Sequence, residues 1–150
     1  MTIPETGLVK NGVHVFPVRV YFEDTDSGGI VYYANYLRFA ERARTEMLRC
    51  IGYSHSDMMT NDDLVFAVRR CEADYLRPAH LDDALEVVTG NVDIEAASLW
   101  LEQRIMRGEE NLVQLKIRLA CVGEGGKPKR LPNQLRDALL PLLDINNTEQ

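Results

Sequence analysis

The sequence predicts an α+β fold in which an antiparallel sheet packs against one long helix. Two observations predict it: a strongly amphipathic helical segment follows the first strand-like run, and four more strand-like runs then succeed one another without helices between them. A doubly wound parallel sheet needs helices that alternate with its strands, so this order excludes it. A single layer of this kind leaves sheet edges uncovered, and we expect copies of the chain to join along them.

The strand-like runs differ in pattern. The first, over residues 13–22, is rich in Val, Phe and Tyr on both alternating faces, which is typical of a strand covered on both sides. Pro17 within it has no N–H to donate and should lie at an edge or a bulge. The later runs cover residues 64–75, 85–93, 99–107 and 112–122, and the last alternates most strictly between apolar and polar residues.

The long helix is predicted for the segment ANYLRFAERARTEMLRCIG, which begins at Ala34. At 100° per residue its apolar side chains share one arc, and most of its arginines occupy the other side. Gly52 is expected to end the helix in a left-handed conformation. The polar segment over residues 53–63 is predicted to be irregular, and a short helix over residues 133–143 is predicted to close the chain. The apolar arc consists of Tyr36, Phe39, Ala40, Ala43, Met47 and Cys50.

Length and charge restrict the class of protein. The 150 residues suit a single domain spanning residues 1–150, with loose termini at about 1–10 and 145–150. With 17 Lys and Arg against 23 Asp and Glu, the chain carries a net charge of −6, which argues against nucleic acid as a partner.

The cysteines and the hydropathy pattern predict a cellular compartment. The three cysteines lie far apart and form no CxxC pair, which favours buried thiols in a reducing compartment over disulfides or a zinc site. No stretch approaches the roughly 18 apolar residues that a membrane span needs, and no apolar leader opens the sequence. We therefore expect a cytoplasmic protein without a membrane span.

Residues 21–44 concentrate the groups that could carry chemistry. A strand leads into Asp24 and Asp26, passes through Gly28 and Gly29, and enters the long helix. Glycines let a ligand approach the backbone, and a helix start presents unpaired N–H groups with partial positive charge. A carboxylate beside such donors suits hydrolysis of an acyl group. The same residues also fit a structural turn in which Asp24 and Asp26 only cap the backbone.

The run DTDSGGIVYYANY at 24–36, followed by ERAR at 41–44, closely resembles the signature of the hotdog-fold acyl-CoA thioesterases, in particular the Tol-Pal-associated thioesterases and their hydroxybenzoyl-CoA relatives. YLRPA at 75–79, DD at 82–83, and KP at 127–128 before RLP at 130–132 also resemble that family. The resemblance implies a hotdog fold, in which a five-stranded antiparallel sheet wraps a long helix. It also implies a homodimer or tetramer with active sites at the subunit interface.

The resemblance also implies roles for single residues. Asp26 matches the catalytic aspartate, which acts as nucleophile or as general base, and the backbone N–H of Tyr33 matches the donor that polarises the thioester oxygen. Many Tol-Pal-type relatives carry histidine where this chain has Tyr33, but a main-chain donor does not depend on its side chain. The substrate would be an acyl-CoA, and no metal or other cofactor is implied. The residues expected to line the substrate are Gly28, Gly29, Ile30, Val31, Tyr32 and Arg77.

Other readings of these residues stay open. Asp24 is expected to position Asp26 or the turn, and Glu41 to form a structural ion pair with Arg44 or Arg38. A phosphatase would need a parallel scaffold, which the strand order contradicts. The main alternative is a non-catalytic protein of envelope or phospholipid metabolism that binds acyl-CoA or an acyl carrier. Acyl chain length, aromatic or aliphatic preference, and coenzyme A or carrier protein as the thiol are equally open.

Overall fold

A computed structural model describes residues 4–143 of the protein, in which six strands form one antiparallel sheet. Their spatial order is β1-β2-β4-β5-β6-β3, so that β1 and β3 are the edges. The strands are β1 (Leu8–Lys10), β2 (Val13–Arg19), β3 (Val65–Tyr75), β4 (Ala84–Ile94), β5 (Ser98–Arg107) and β6 (Glu110–Val122). The helices are α1 (Asn35–Cys50), α2 (His55–Asn61) and α3 (Asn133–Ala138). The α+β class, the long helix and the five longer strands are confirmed, but the first predicted strand, over residues 13–22, ends at Arg19, and Phe22–Asp24 form a 3-10 turn instead.

The short strand β1 lies in a segment that the sequence was expected to leave loose. It pairs with β2 through a two-residue turn in which Asn11 and Gly12 both have positive φ, 52° and 81°. Asn-Gly is the preferred pair for such hairpin turns, so the signal for β1 was present in the sequence. The expected loose ends at residues 1–3 and 145–150 lie outside the described residues.

Pro17 occupies the edge position that its missing N–H requires. β1 reaches along β2 only as far as Val15, and Pro17 lies beyond that point with β4 on its other side. At the far end of the chain, the predicted helix over residues 133–143 is divided. α3 ends at Ala138 and a separate 3-10 turn covers Leu140–Leu142, because Pro141 restricts the backbone before it and supplies no N–H.

Helix α1 packs its apolar face on the inner side of the sheet, against β2, β4 and β5. Tyr36, Phe39, Ala40 and Ala43 are at most 3% exposed, as the periodicity predicts. The helix ends before Gly52, whose φ of +93° confirms the left-handed termination. Because α1 lies over one half of the sheet, its N-terminus is fixed close to the end of β2, and the connection between them carries the candidate site.

The segment over residues 53–63, predicted to be irregular, forms α2. The side chain of Ser54 accepts a hydrogen bond of 3.1 Å from the N–H of Asp57, which caps the helix. Ser-x-x-Asp before Met58 is a recognisable helix-start pattern, and buried Met58 fixes the helix against the core. Within residues 4–143, none of the helices has both the length and the apolar character needed to cross a membrane.

Candidate active site

The loop between β2 and α1 is closed at its base by Asp24. Its carbonyl accepts the N–H of Tyr32 at 2.9 Å, which joins the two arms of the loop. Above this base, Thr25 pairs with Val31 as an isolated antiparallel bridge. The loop is therefore a narrow, hairpin-like projection whose second arm runs directly into the helix.

Asp26 lies in the first arm of this loop, and its side chain is exposed in the single chain. Its Oδ1 accepts the N–H of Gly28 at 2.8 Å, and its own N–H donates to the carbonyl of Ile30 at 2.9 Å. The other carboxylate oxygen, Oδ2, has no hydrogen-bond partner among the residues that the structure describes. One oxygen is thus held by the loop, and the second is available to a ligand or to water.

Tyr33 lies two residues before the first residue of α1, Asn35. Across residues 4–143, no acceptor takes the N–H of Tyr33 or that of the next residue, Ala34, whereas the N–H groups of Tyr32 and Asn35 are both bonded. The Tyr33 donor therefore stands free at the positive end of a helix of 16 residues. Such a donor is suited to a developing negative charge.

The other residues predicted to line the substrate fall into two groups. Gly29 has a φ of +82°, which favours glycine, and a Cβ at Gly28 would approach Oδ1 of Asp26 to 3.2 Å. Tyr32 is 48% exposed. Val31, in contrast, is 3% exposed and donates its N–H to the carbonyl of Ala79, so its side chain packs in the core instead of facing a ligand.

Three tyrosines form a partly exposed aromatic cluster beside the loop. The ring of Tyr33 meets that of Tyr75 edge to face at 6.0 Å between centroids, and Tyr36 lies 5.8 Å from Tyr75. Tyr33 and Tyr75 are 59% and 45% exposed. The end of β3, where Tyr75 lies, therefore meets the start of α1 at an open aromatic surface.

Tyr36 connects this surface to the loop that precedes β4. Its hydroxyl accepts the N–H of Ala79 at 2.9 Å, in a buried setting. Burial raises the pKa of Tyr36, and the negative charges of Asp83 and Asp26 add to the shift, although the Ala79 bond and Arg107 oppose it. The Tyr36 hydroxyl therefore keeps its proton at neutral pH and lies within the field of Asp26.

Arg77, Arg70 and Lys129 each have a partner of their own within the chain. Arg77 pairs with Glu110 at 3.3 Å, and its side chain is 66% exposed. Arg70 pairs with Glu72 at 3.1 Å. Lys129 donates from Nζ to the carbonyls of Asp62 and Asp63, which gives it a structural part in holding the end of α2. The single chain does not gather these cations into one cluster.

The expected ion pair of Glu41 with Arg44 or Arg38 is wrong for the part of the chain that the structure describes. Glu41 is exposed, and Arg44 instead donates from Nη1 to Oε1 of buried Gln103 at 2.9 Å. Gln103 in turn donates to the carbonyl of Ala40, so the helix is tied to β5 through a neutral partner. Burial lowers the pKa of Arg44.

A cavity of about 80 Å³ lies between the second half of α1 and the sheet. Its walls are mostly apolar, and they do not include Asp26 or Tyr33, so it is separate from the loop site. In residues 4–143 no cluster of three or more His, Cys, Asp or Glu side chains could hold a metal ion. The apolar walls include Met47, Leu48, Phe66, Val92, Leu99 and Leu119.

Asn35 and Tyr36 are polar contributors that the sequence pattern did not single out. Both lie on the buried face of α1, and their polar atoms bond to Asp24 and Ala79. A polar residue on an otherwise apolar helical face is the signal that could have identified Asn35. The loop partner of Tyr36, 43 residues further along the chain, had no local signal.

Comparison with known proteins agrees with this geometry. The chain is 43% identical over 132 residues to the protein of Haemophilus influenzae called acyl-CoA thioesterase YbgC, covering 87% of this chain and 96% of that one. It is 43% identical over 122 residues to acyl-CoA thioester hydrolase YbgC of Escherichia coli O6:H1, covering 80% and 90%. A crystal structure of a probable thioesterase from Bartonella henselae matches with a TM-score of 0.77 at 41% identity, over 80% of this chain and 99% of that chain.

The helix enclosed by one antiparallel sheet, with the loop site at the helix start, defines a hotdog-fold enzyme. The family model described as "Thioesterase-like superfamily" matches residues 20–139, which include the loop, α1 and all strands from β3 to β6. The chain belongs to the thioesterase-like superfamily.

Proposed function

We propose that the protein hydrolyses the thioester of an acyl-CoA to the free acid and coenzyme A, with Asp26 as the reacting carboxylate. The observation that carries the proposal is that one short loop holds two groups without a partner among the described residues: Oδ2 of Asp26 and the N–H of Tyr33 just before α1. The names of the relatives from Haemophilus influenzae and Escherichia coli support the substrate class.

The chemistry requires one group that activates or delivers oxygen and one that receives negative charge. As general base, Asp26 takes a proton from water while the water oxygen attacks the carbonyl carbon; the C–S bond then breaks, and the proton passes to the thiolate. As nucleophile, Asp26 forms an acyl anhydride that water then cleaves. Both routes consume one water and release one carboxylic acid and one thiol. In both, the N–H of Tyr33 stabilises the oxyanion.

Asp26 is exposed in the single chain, so something that the chain alone does not supply must exclude bulk solvent while admitting the one water that reacts. We propose that a second copy supplies it by pairing along β3. This edge strand has 11 residues, of which only Phe66 and Ala73 are even partly buried. Val68 and Tyr75 on it are 54% and 45% exposed, and Tyr75 touches Tyr33. A dimer through β3 would therefore cover the aromatic cluster beside the loop.

Coenzyme A also requires positive charge for its phosphates. Arg77 lies two residues after the end of β3 and keeps two thirds of its side chain exposed despite its pair with Glu110. We propose Arg77 as one phosphate ligand, because it lies at the same end of β3 as Tyr75. The interior cavity beside Arg44 takes no part in this scheme.

The test is a thiol-release assay with short-chain, long-chain and aromatic acyl-CoAs. The Asp26→Asn variant should fold normally and lose about 10²- to 10⁴-fold in kcat, the usual range for a positioned acid–base group. Asp57→Asn is the matched control, since it also removes one exposed carboxylate but lies on α2. Its kcat should stay within about twofold of that of the unmodified protein, a much smaller change than the loss of a catalytic group causes.

Two results would contradict the proposal. If Asp26→Asn hydrolyses at the unmodified rate, Asp26 is not the reacting group. If the purified protein binds acyl-CoA and releases no thiol from any member of the panel, the non-catalytic acyl-binding alternative holds instead.

A further inference from the structure

Asp24 is a carboxylate buried without a cation. It is 4% exposed, and no basic nitrogen of the described residues lies within 4.0 Å of its carboxylate oxygens. Its charge is met by two neutral donors: the backbone N–H of Tyr21 reaches Oδ2 at 2.8 Å, and Nδ2 of Asn35 reaches Oδ1 at 2.9 Å. A buried charge needs such donors, since an unpaired one costs several kcal/mol.

Asn35 is buried as well, at 7% exposed, although it opens the apolar face of α1. Its side-chain amide donates to Asp24, and its backbone N–H donates to the carbonyl of Tyr32 at 2.8 Å. It therefore contacts both arms of the loop at their base, one through its side chain and one through its main chain.

This base sets where the two reacting groups lie. Asp26 is two residues beyond Asp24 on the first arm, and Tyr33 is one residue beyond Tyr32 on the second. The hydrogen bond between the side chains of Asp24 and Asn35 spans the base of the loop and connects two residues that are 11 apart in sequence. No other side-chain hydrogen bond within residues 4–143 links the first arm to the helix.

We infer that Asn35 is a positioning residue that acts through Asp24 to hold the carboxylate of Asp26 against the N–H of Tyr33. The inference rests on the proposed function, because it assigns Asn35 a task only if Asp26 and Tyr33 react together. A displacement of about 1 Å between reacting groups can lower a rate about 10²-fold. Loss of Asn35 should thus lower turnover with little effect on substrate binding.

The experiment compares kcat and KM for two single variants at Asn35 and for a double variant that exchanges residues 24 and 35. Asn35→Ala, which removes the donor, and Asn35→Asp, which opposes two carboxylates, should each lower kcat about 10- to 100-fold, with KM changed less than about threefold, as expected when alignment is lost and binding kept. The exchange Asp24→Asn with Asn35→Asp reverses the polarity of the bond: the amide at 24 donates to the carboxylate at 35 and still accepts from Tyr21. It should recover at least about tenfold in kcat over either single variant.

Thr89→Val is the matched control. It also removes one buried hydrogen-bond partner, the Thr89 hydroxyl that accepts from Gln103 at 3.0 Å, but it lies on β4 away from the loop. Its stability should fall while its kcat stays within about twofold, because a lost buried hydrogen bond alone does not misalign the site. Amide hydrogen exchange at Tyr32 supplies a readout independent of activity, and should quicken in Asn35→Ala and not in Thr89→Val.

Each outcome decides one claim. A kcat for Asn35→Ala within about twofold of the unmodified protein, with Asp26→Asn inactive, would overturn the positioning role and leave the proposed function standing. An exchange variant no better than the single variants would overturn the pairwise bond as the cause. Unchanged amide exchange at Tyr32 would overturn the inference even if the protein released no thiol.

Discussion

The hydroxyl of Tyr36 accepts a hydrogen bond of 2.9 Å from the backbone N–H of Ala79. Val31 donates its N–H to the carbonyl of the same residue, Ala79, also at 2.9 Å. Ala79 is therefore bonded on one side to the helix and on the other to the loop that carries Asp26. Through this one residue, the segment before β4 braces both halves of the candidate site.

Tyr36→Phe should destabilise the fold by about 1–3 kcal/mol, because it leaves the buried N–H of Ala79 without an acceptor. Urea unfolding monitored by circular dichroism measures the change. Tyr53→Phe is the control, since within residues 4–143 the Tyr53 hydroxyl makes no hydrogen bond. Equal stability losses in the two variants would show that the Tyr36 bond contributes nothing.

His14 should make stability depend on pH. It is fully buried on β2, with Nε2 2.7 Å from the carbonyl of Thr6 and Nδ1 unpartnered among the described residues. Burial lowers the pKa of His14 below its ordinary 6.5, although the Thr6 bond and the charge of Glu46 oppose the shift. As the pH falls below 6.5, His14 is protonated in the unfolded chain but stays neutral in the folded chain. The folded state therefore loses stability relative to the unfolded state below pH 6.5, and His14 causes no such loss above about pH 7.

The free energy of unfolding should therefore fall between pH 7.5 and pH 5.5, by at most about 1.4 kcal/mol per pH unit from His14. His14→Gln, which retains a donor for Thr6, should show a shallower slope over the same range. His55 also has a pKa lowered by burial, so a residual slope is expected in the variant. Identical slopes in the two proteins would remove His14 as the cause.

The edge strand β3 should be the dimer interface. The unmodified protein should sediment at twice the 17.0 kDa mass of one chain. Val68→Lys places a charge on the exposed strand and beside Arg44, and should give a monomer whose kcat is at least about tenfold lower, because edge lysines oppose strand pairing. Leu140→Lys, at a residue that is 57% exposed on the turn after α3, should change neither property. If Val68→Lys is a monomer with full activity, the active site does not depend on the dimer interface.

Local signals in the sequence predicted most of the elements correctly. The periodicity of α1 placed Tyr36, Phe39, Ala40 and Ala43 in the core, because a helix that packs on a sheet needs one apolar face. Two elements were missed, β1 and α2, although the Asn-Gly turn and the Ser54 cap mark them. Short elements carry little periodicity, so their end signals have to be read alone.

The candidate site divides in a similar way. The carboxylates, the glycine pair and the helix start lie within one short stretch of sequence, so their proximity could be predicted from the order of residues. The expected Glu41–Arg44 pair was wrong, because spacing on a helix shows which side chains can meet and does not show that Gln103 of a distant strand reaches Arg44 instead.

By itself, the sequence determined the fold class, the position of the long helix and the loop that carries Asp26, because these depend on periodicity and on neighbours along the chain. Only the tertiary structure decided which buried polar groups satisfy one another: Asn35 with Asp24, Tyr36 with Ala79, and Arg44 with Gln103. Such partners are selected by burial, since a polar group removed from water must bond to whatever the fold brings within about 3 Å.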